Sequence, residues 1–308
     1  MEVTKLYKIL FVRSAKAFLP EIDAYVSYFN NTGRFRAFDS AQSEASPWSG
    51  EYDVVWEFKG FGGIKKGNKR FLLVHEYASL STGTLPHLKN FLKAKFNPRP
   101  DLRVFLNEEV RSGFLFRDNI DFCYRDMGID PRFLEARSDR KEYDFVYVGA
   151  VSKSREIDRL LAVMNEKKMG RLCLIGSVDP DLYERYRNNR DFIFTGKIPY
   201  AQVPEIASKA VYGINYIPDR YPYNLQTSTK LLEYLALGLR VLTTDYSWVR
   251  KFERIHGCSF YKLRKTSDFD MRSISEFPHY CNLNTENFLW DKIIRESKIE
   301  EKLFSLLK

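Results

Sequence analysis

The chain has 308 residues, 44% of them hydrophobic, and 49 Lys and Arg against 40 Asp and Glu give it a net charge of +9. Such a length suits two domains of about 150 residues, an enzyme's size rather than a small adaptor's. The positive balance calls for an anionic partner (nucleic acid, acidic lipid or a phosphorylated substrate), and no apolar run approaches the ~18 residues that span a bilayer.

Charged residues interrupt the N-terminus, so no signal peptide is expected and the protein is read as cytoplasmic, soluble or peripheral on the inner face of the membrane. Cys123, Cys173, Cys258 and Cys281 lack C-x-x-C spacing, and with the four histidines they form no metal-ligand pattern. They are read as reduced thiols, and no metal is expected. Nucleic acid is set aside as a partner, because helix-turn-helix, zinc-finger and RNP spacings are missing and most aromatics fall at core periods.

Residues 6 to 13, LYKILFVR, read as a buried first strand, and 17 to 29 as a helix with Phe18, Ile22, Tyr25, Val26 and Phe29 at helical spacing. The turn Arg13-Ser14-Ala15-Lys16 between them lacks the glycines of a dinucleotide fingerprint. Strands at 53–58 and 70–77 flank the basic stretch KGFGGIKKGNKR, where Gly60, Gly62 and Gly63 either admit a ligand to the backbone or form a mobile surface turn. His75 and Glu76 lie near the end of the second of these strands, the end at which parallel sheets bind ligands, so His75 is either a packed residue or a catalytic candidate.

Residues 84 to 96, TLPHLKNFLKAKF, give a helix with Leu85, Leu88, Leu92 and Phe96 on one stripe, flanked by Lys89, Lys93 and Lys95 and stopped by Pro98 and Pro100. This helix either lies on an anionic membrane surface or packs on the sheet with its lysines in water. A strand at 102–107 and a helix at 108–116 follow, and the charged stretch EARSDRKE, 135–142, reads as the linker between domains.

From Tyr143 onward, strands at 144–151, 171–176, 191–196 and 211–217 alternate with helices at 156–164, 181–187 and 204–210. That alternation predicts a doubly wound α/β domain with a parallel sheet covered on both faces. In YNLQTSTKLLEYLALGLRVLTTD, 223–245, the polar run Gln226, Thr227, Ser228, Thr229 meets Leu231, Leu232, Leu235 and Leu237, then Gly238 and the strand residues Val241 and Leu242. This is N-cap, helix, C-cap and strand. The start of such a helix offers unpaired N–H groups and a partial positive charge beside Ser228, Thr229 and Lys230, a receptor for a phosphate or diphosphate. Glu233, one turn on, is placed to accept two hydroxyl hydrogen bonds from a ribose. A capped amphipathic helix with a surface Lys–Glu pair has the same appearance. After Val249 the chain reads as irregular until residues 286–308, where Phe288, Leu289, Ile293, Ile294, Ile299, Leu303 and Leu306 form a helical apolar face.

TKLLEYLALGLRVLTTD resembles the K-(L/F)-x-E-(Y/A)-(L/M)-A-x-G-x-P-V-(V/I) segment of GT-B fold glycosyltransferases, especially the retaining family 4. VGAVSKSREIDRLL, LCLIG and FTGKIPYAQVPEIASKA are similar to that family's other landmarks, in the expected order over residues 144–245, and Trp290-Asp291 matches its closing W-(D/E). Leu225 stands where the family often has a second Glu, Arg240 where it has Pro, and Ala150 where it has Arg.

The resemblance implies two Rossmann-like doubly wound domains facing a cleft: residues 1–138 on the acceptor side, 139–285 binding the donor, and 286–308 as a helix packing back on the first domain. It implies transfer of a sugar from a UDP- or GDP-type donor to a glycan or lipid-linked glycan, with retention of configuration, without metal or other cofactor, and by family tendency in bacterial surface-polysaccharide synthesis. Lys230, Arg155 and His75 are then the catalytic candidates, and Glu233, Thr229, Ser228, Thr227, Lys153 and Gly149 the donor-binding ones. The departures keep open a catalytically silent binding protein of the same fold. An epimerase would need a carboxylate or histidine set around the sugar, for which His75 and Glu76 are the visible residues.

Overall fold

The computed structural model describes residues 5–13, 19–41, 50–68 and 70–308. The turn at 14–16, the start of the first predicted helix with Phe18, and Lys69 of the basic stretch lie outside the described residues. The chain divides into two compact units, Met1–Gly128 with Phe288–Lys308, and Ile129–Asn287.

The first unit runs β1 (Tyr7–Val12), α1 (Pro20–Asn31), β2 (Phe35–Asp39), β3 (Val54–Phe58), β4 (Leu72–Tyr77), α2 (Pro86–Phe96), β5 (Leu102–Phe105), α3 (Glu108–Phe114) and β6 (Phe122–Tyr124). Its six strands pair in parallel in the order β2-β1-β3-β4-β5-β6. Strands such as β3 and β4 are buried almost throughout, as sheets covered on both faces require. Two strands escape the sequence reading. At the edge, β2 alternates Phe35 and Ala37 inward with Arg36 outward, and β6 spans only three residues, so neither shows an apolar run.

Unit 2 continues with α4 (Arg132–Glu135), β7 (Tyr143–Val148), α5 (Ile157–Glu166), β8 (Leu172–Ile175), α6 (Pro180–Tyr186), β9 (Phe192–Gly196), α7 (Val203–Ala207), β10 (Ala210–Asn215), α8 (Thr229–Ala236) and β11 (Arg240–Thr243). It ends with α9 (Ser247–His256), β12 (Cys258–Ser259), β13 (Tyr261–Lys262), α10 (Met271–Glu276) and β14 (Tyr280–Cys281). The main sheet is again parallel and six-stranded, in the order β13-β11-β10-β7-β8-β9. The strand order therefore reverses between β7 and β10, and in doubly wound sheets the crevice at such a reversal, beyond the strand C-termini, is where ligands bind.

The charged stretch after Glu135 is tied to unit 2. Arg137 Nε donates to the Ala236 carbonyl at 3.0 Å and Lys141 Nζ to that of Ser208 at 2.8 Å. The division of the chain accordingly follows Gly128.

The region after Val249, irregular in the sequence reading, contains α9, α10 and three short strands. Only Val249 and Phe252 of α9 are buried, so its apolar stripe is too thin for periodicity to reveal. Here the expectation of reduced thiols is corrected for one pair. Cys258 and Cys281 face each other across the antiparallel pair β12–β14 and are joined by a disulfide, while Cys123 and Cys173 are free and buried. The pairing joins two segments whose approach no local pattern announces. No helix among the described residues is long and apolar enough to cross a membrane.

The chain closes with α11 (Trp290–Glu296) and α12 (Ile299–Leu307), whose Ile294, Ile299 and Leu303 join Ile22, Tyr25 and Phe29 of α1 in the core of the first unit. Phe11, Tyr25 and Trp56 pack there at centroid distances of 4.8–5.2 Å, the first two stacked and Trp56 tilted against both. Arg125, buried beside them, pairs with Glu76, donates from its Nε to Tyr25 Oη at 3.1 Å, and lies over the Trp290 ring at 5.3 Å. Trp56 Nε1 donates to the other oxygen of Glu76 at 2.9 Å. Glu76 is thus fully used inside the core. Arg125→Met leaves this carboxylate buried without its cation, and a loss of about 3–5 kcal/mol is expected in urea unfolding of the first unit; an unchanged midpoint would show that the pair contributes nothing net.

Candidate functional site

The site is assembled where β7, β10 and α8 meet. Gly149 follows β7 at φ +136°, a conformation that side chains rarely adopt, and a Cβ added there would stand 3.6 Å from Lys230 Nζ. At the end of β10, Asn215 is fully buried and accepts the Ser228 hydroxyl at 2.7 Å. Its amide nitrogen donates to Thr243 Oγ1 at 3.0 Å and to Tyr246 Oη at 2.9 Å, so the start of α8 is bound to β10, β11 and the entry to α9 at once.

Ser228 is the N-cap of α8, its Oγ accepting the Leu231 N–H at 3.3 Å. The N–H groups of the first helical residues, Thr229 and Lys230, have no partner within an α-helix and mark its positive end. Thr227 and Thr229 flank the cap, half-buried. Because Gly213 of β10 has no Cβ, the Tyr234 ring of α8 lies directly on the strand; a Cβ there would be 2.4 Å from the ring. Tyr234 Oη in turn accepts the Val148 N–H at 2.9 Å, which fixes α8 across the reversal point.

Lys230 and Glu233 share one face of α8. The Lys230 ammonium is buried, has no hydrogen-bond partner among the described residues and sits 4.5 Å from the centroid of the Tyr147 ring. Burial and then the nearby Arg155 guanidinium push its pKa down to about 7, against the pull of Glu233. Glu233 is 4% exposed and accepts the Tyr200 hydroxyl at 2.5 Å. Burial raises its pKa to about 7, opposed by the Tyr200 hydrogen bond and Lys230 and assisted by Asp130. A buried ammonium that makes no hydrogen bond among the described residues, at the positive end of a helix, is an electrostatic arrangement that an anion completes.

Not every sequence candidate joins this group. Lys153 is exposed, its Nζ paired with Asp181 at 2.8 Å and its N–H bonded to Asp179. Arg155 is exposed on the short helical turn Lys153–Arg155, close enough to act on both Tyr147 and Lys230. His75 belongs to the first unit, where it has no exposed surface and its Nε2 lies 3.4 Å from Glu57 Oε2. Burial pushes the His75 pKa down. Of the two readings of this residue, the geometry is that of a packed one. Glu57 also accepts the Ile64 N–H at 3.0 Å, and Asn97 holds the Gly62 N–H at 2.9 Å and the Gly60 carbonyl at 3.1 Å, so the glycine-rich stretch is tied down by hydrogen bonds.

Sequence reasoning missed Tyr200, Tyr147, Asn215 and Arg220. Asn215, a polar residue closing the apolar run VYGIN, was the one with a local signal. Arg220 donates to the Ser154 carbonyl at 2.9 Å and so adds a cation at the turn that carries Arg155.

The fold is of the GT-B class, with two parallel six-stranded α/β sheets. No family model matches the sequence, and no curated protein matches it. Among solved structures, sucrose-phosphate synthase from Thermosynechococcus elongatus is similar at a TM-score of 0.68 and 13% identity, covering 97% of this chain and 100% of its own. AviGT4, a glycosyltransferase involved in avilamycin A biosynthesis, is similar at 0.61 and 13% identity, covering 98% of each. A putative UDP-N-acetylglucosamine 2-epimerase from Listeria monocytogenes is similar at 0.57 and 9% identity, again covering 98% of each.

The Lys230 ammonium supplies a direct test. With a pKa of about 7 it becomes largely neutral in the free protein towards pH 8, where Glu233 is already ionised, and a bound diphosphate favours its charged form, so binding in that range takes up a proton. Affinity for a nucleoside diphosphate is expected to fall by up to about tenfold per unit between about pH 7.5 and about pH 9. Calorimetry in buffers of different ionisation enthalpy reads the proton; Lys230→Met should bind more weakly and lose this slope.

Proposed function

We propose that this protein is a glycosyltransferase that takes a sugar from a nucleotide-diphosphate donor, UDP- or GDP-linked, held by its second unit. The observation that carries the reading is the buried, unpartnered Lys230 ammonium at the start of α8, at the reversal point of the sheet and one turn from Glu233. Glu233 would accept the ribose hydroxyls, and the N–H groups at Thr229 and Lys230 would take the diphosphate. Several neighbours of the same fold support the class: one is named a sucrose-phosphate synthase, another a glycosyltransferase, and a pneumococcal O-GlcNAc transferase, similar at a TM-score of 0.55 over 82% of this chain and 57% of its own, is described in complex with UDP and GlcNAc.

In the reaction, the bond from the anomeric carbon to the diphosphate oxygen breaks and its electron pair leaves with the diphosphate. Lys230, Arg155 and the helix N–H groups neutralise that growing charge, so no divalent metal is required in this reading. The acceptor hydroxyl oxygen bonds to the anomeric carbon, and its proton passes to the departing phosphate. Retention of configuration, membership of family 4, and a bacterial surface glycan or lipid-linked glycan as acceptor rest on the sequence resemblance. The two residues an epimerase would need are otherwise engaged: Glu76 is spent on Arg125 and Trp56, and His75 is fully buried beside Glu57.

Lys230→Ala and Glu233→Ala are each expected to lower transfer from a nucleotide-sugar by about a hundredfold or more with the fold retained. A panel of nucleoside diphosphates should raise the melting temperature of the native protein only, by mass action. Normal turnover in both variants would reject the assignment.

Contact with an anionic membrane through residues 84–96 belongs to the same proposal. Of the predicted stripe, Leu92 is half-buried, whereas Leu85 is 69% and Phe96 60% exposed, with Leu88 and Phe91 exposed between them. Asn90, holding the Ser81 N–H at 2.9 Å, is the buried residue of α2, so the apolar side chains with Lys89 and Lys95 face outward. Replacing Lys89, Lys93 and Lys95 together with Gln is expected to weaken partitioning onto anionic vesicles by about a hundredfold in co-sedimentation, at about 1 kcal/mol per lysine near the surface; equal sedimentation would exclude the contact.

A further inference from the structure

In the donor site proposed above Glu233 is the ribose acceptor, yet a carboxylate this deeply buried protonates easily and has no fixed orientation unless something holds it. Among the described residues one side chain bonds to it: Tyr200, whose hydroxyl donates to Oε1 at 2.5 Å. Tyr200 lies on a short helical turn, Tyr200–Gln202, after β9, and its ring is held by Phe133 of α4 at a centroid distance of 5.6 Å. Phe133 is 1% exposed. This contact explains why the short segment after Gly128 belongs with unit 2: α4 backs the ring that grips the carboxylate.

We propose that Tyr200 is the positioning residue for nucleotide ribose, its hydroxyl fixing the Glu233 carboxylate through Oε1 so that the remaining lone pairs receive the sugar's two hydroxyls. A carboxylate offers about four acceptor sites, so one phenol leaves room for a diol. The inference rests on the donor site proposed above and deepens it, assigning the ribose contact to a pair of side chains rather than to Glu233 alone.

The charges around Glu233 define how the pair titrates. Lys230 acts on it from α8, Tyr200 from the turn after β9 and Asp130 from the segment before α4. Tyr234 is adjacent on α8, Arg132 acts on Tyr200, and Arg155 acts on Lys230. The Tyr200 hydrogen bond and Lys230 favour the carboxylate, while burial and Asp130 favour the acid. Tyr200→Phe removes one of the two supports. Glu233 then protonates at a higher pH, and the ribose loses its acceptor in the neutral range.

The experiment compares uridine and guanosine 5′-diphosphates with their 2′-deoxy counterparts, measured by calorimetry on the full chain as a function of pH. The ribo-to-deoxy affinity ratio cancels the diphosphate's own interaction with Lys230 and reports Glu233. In the native protein the ratio should reach about tenfold at alkaline pH and shrink as pH falls through the Glu233 pKa of about 7. In Tyr200→Phe the midpoint should move up by about one pH unit, with the ratio at neutral pH reduced severalfold. Glu233→Gln should give a ratio that no longer depends on pH. If Tyr200 serves only to pack the turn, its replacement weakens ribo- and deoxynucleotides alike and leaves ratio and midpoint unchanged, which overturns the proposal while the donor site stands. If the native protein binds neither nucleotide, or does not distinguish the two sugars, Glu233 is not the ribose acceptor and the underlying reading falls together with the proposal.

Discussion

The structure of the second unit is arranged around an ammonium that water cannot reach. Lys230 Nζ has no hydrogen-bond partner among the described residues, and what faces it is the Tyr147 ring, a weak source of negative potential. Its low pKa expresses the cost of that position. Glu233, one turn away, carries the opposite strain, raised toward neutrality by the same burial. Burial thus presses both groups toward their neutral forms. An incoming diphosphate with its ribose would instead stabilise both charged forms, one by an opposite charge and the other by hydroxyl hydrogen bonds.

Holding that pair in position requires rigidity around it. The Ser228–Asn215 hydrogen bond, carried on to Thr243 and Tyr246, binds the start of α8 to two strands and the following helix. Tyr234 performs the same service from the next turn, lying on Gly213 and accepting from Val148. These are short, buried polar contacts, and Asn215 uses its carbonyl oxygen and both N–H groups in them, the kind of network that rigidifies a core. The helix therefore presents its first turn at the reversal between β7 and β10 with little freedom to drift.

The first unit uses buried charge differently. Arg125 and Glu76 are neutralised by each other and by aromatic neighbours, so this pair has nothing left to offer a ligand. His75 and Glu57 are likewise enclosed, with the glycine-rich stretch folded over them. What the unit turns outward is apolar: the exposed side chains of α2, with lysines between them.

Much of this was legible in the sequence. The alternation of strands and helices after Tyr143 and the Ser228 cap are local patterns, determined within a few residues by periodicity, hydrogen-bonding side chains and a terminating glycine, and the structure reproduces them. The same local rules failed on β2, β6 and α9, where the apolar signal is short or thin, and on Cys258 and Cys281, whose pairing depends on two distant segments meeting. They named Lys230 and Glu233 by type and spacing, but not that Tyr200 holds one, that Lys153 is committed to Asp181, or that His75 is enclosed. Sequence by itself determined the fold class and the helix that carries the candidate residues, because backbone pattern is written locally; only the tertiary structure decided which of those side chains are buried and what faces them, because burial and electrostatic partnership arise between residues far apart along the chain.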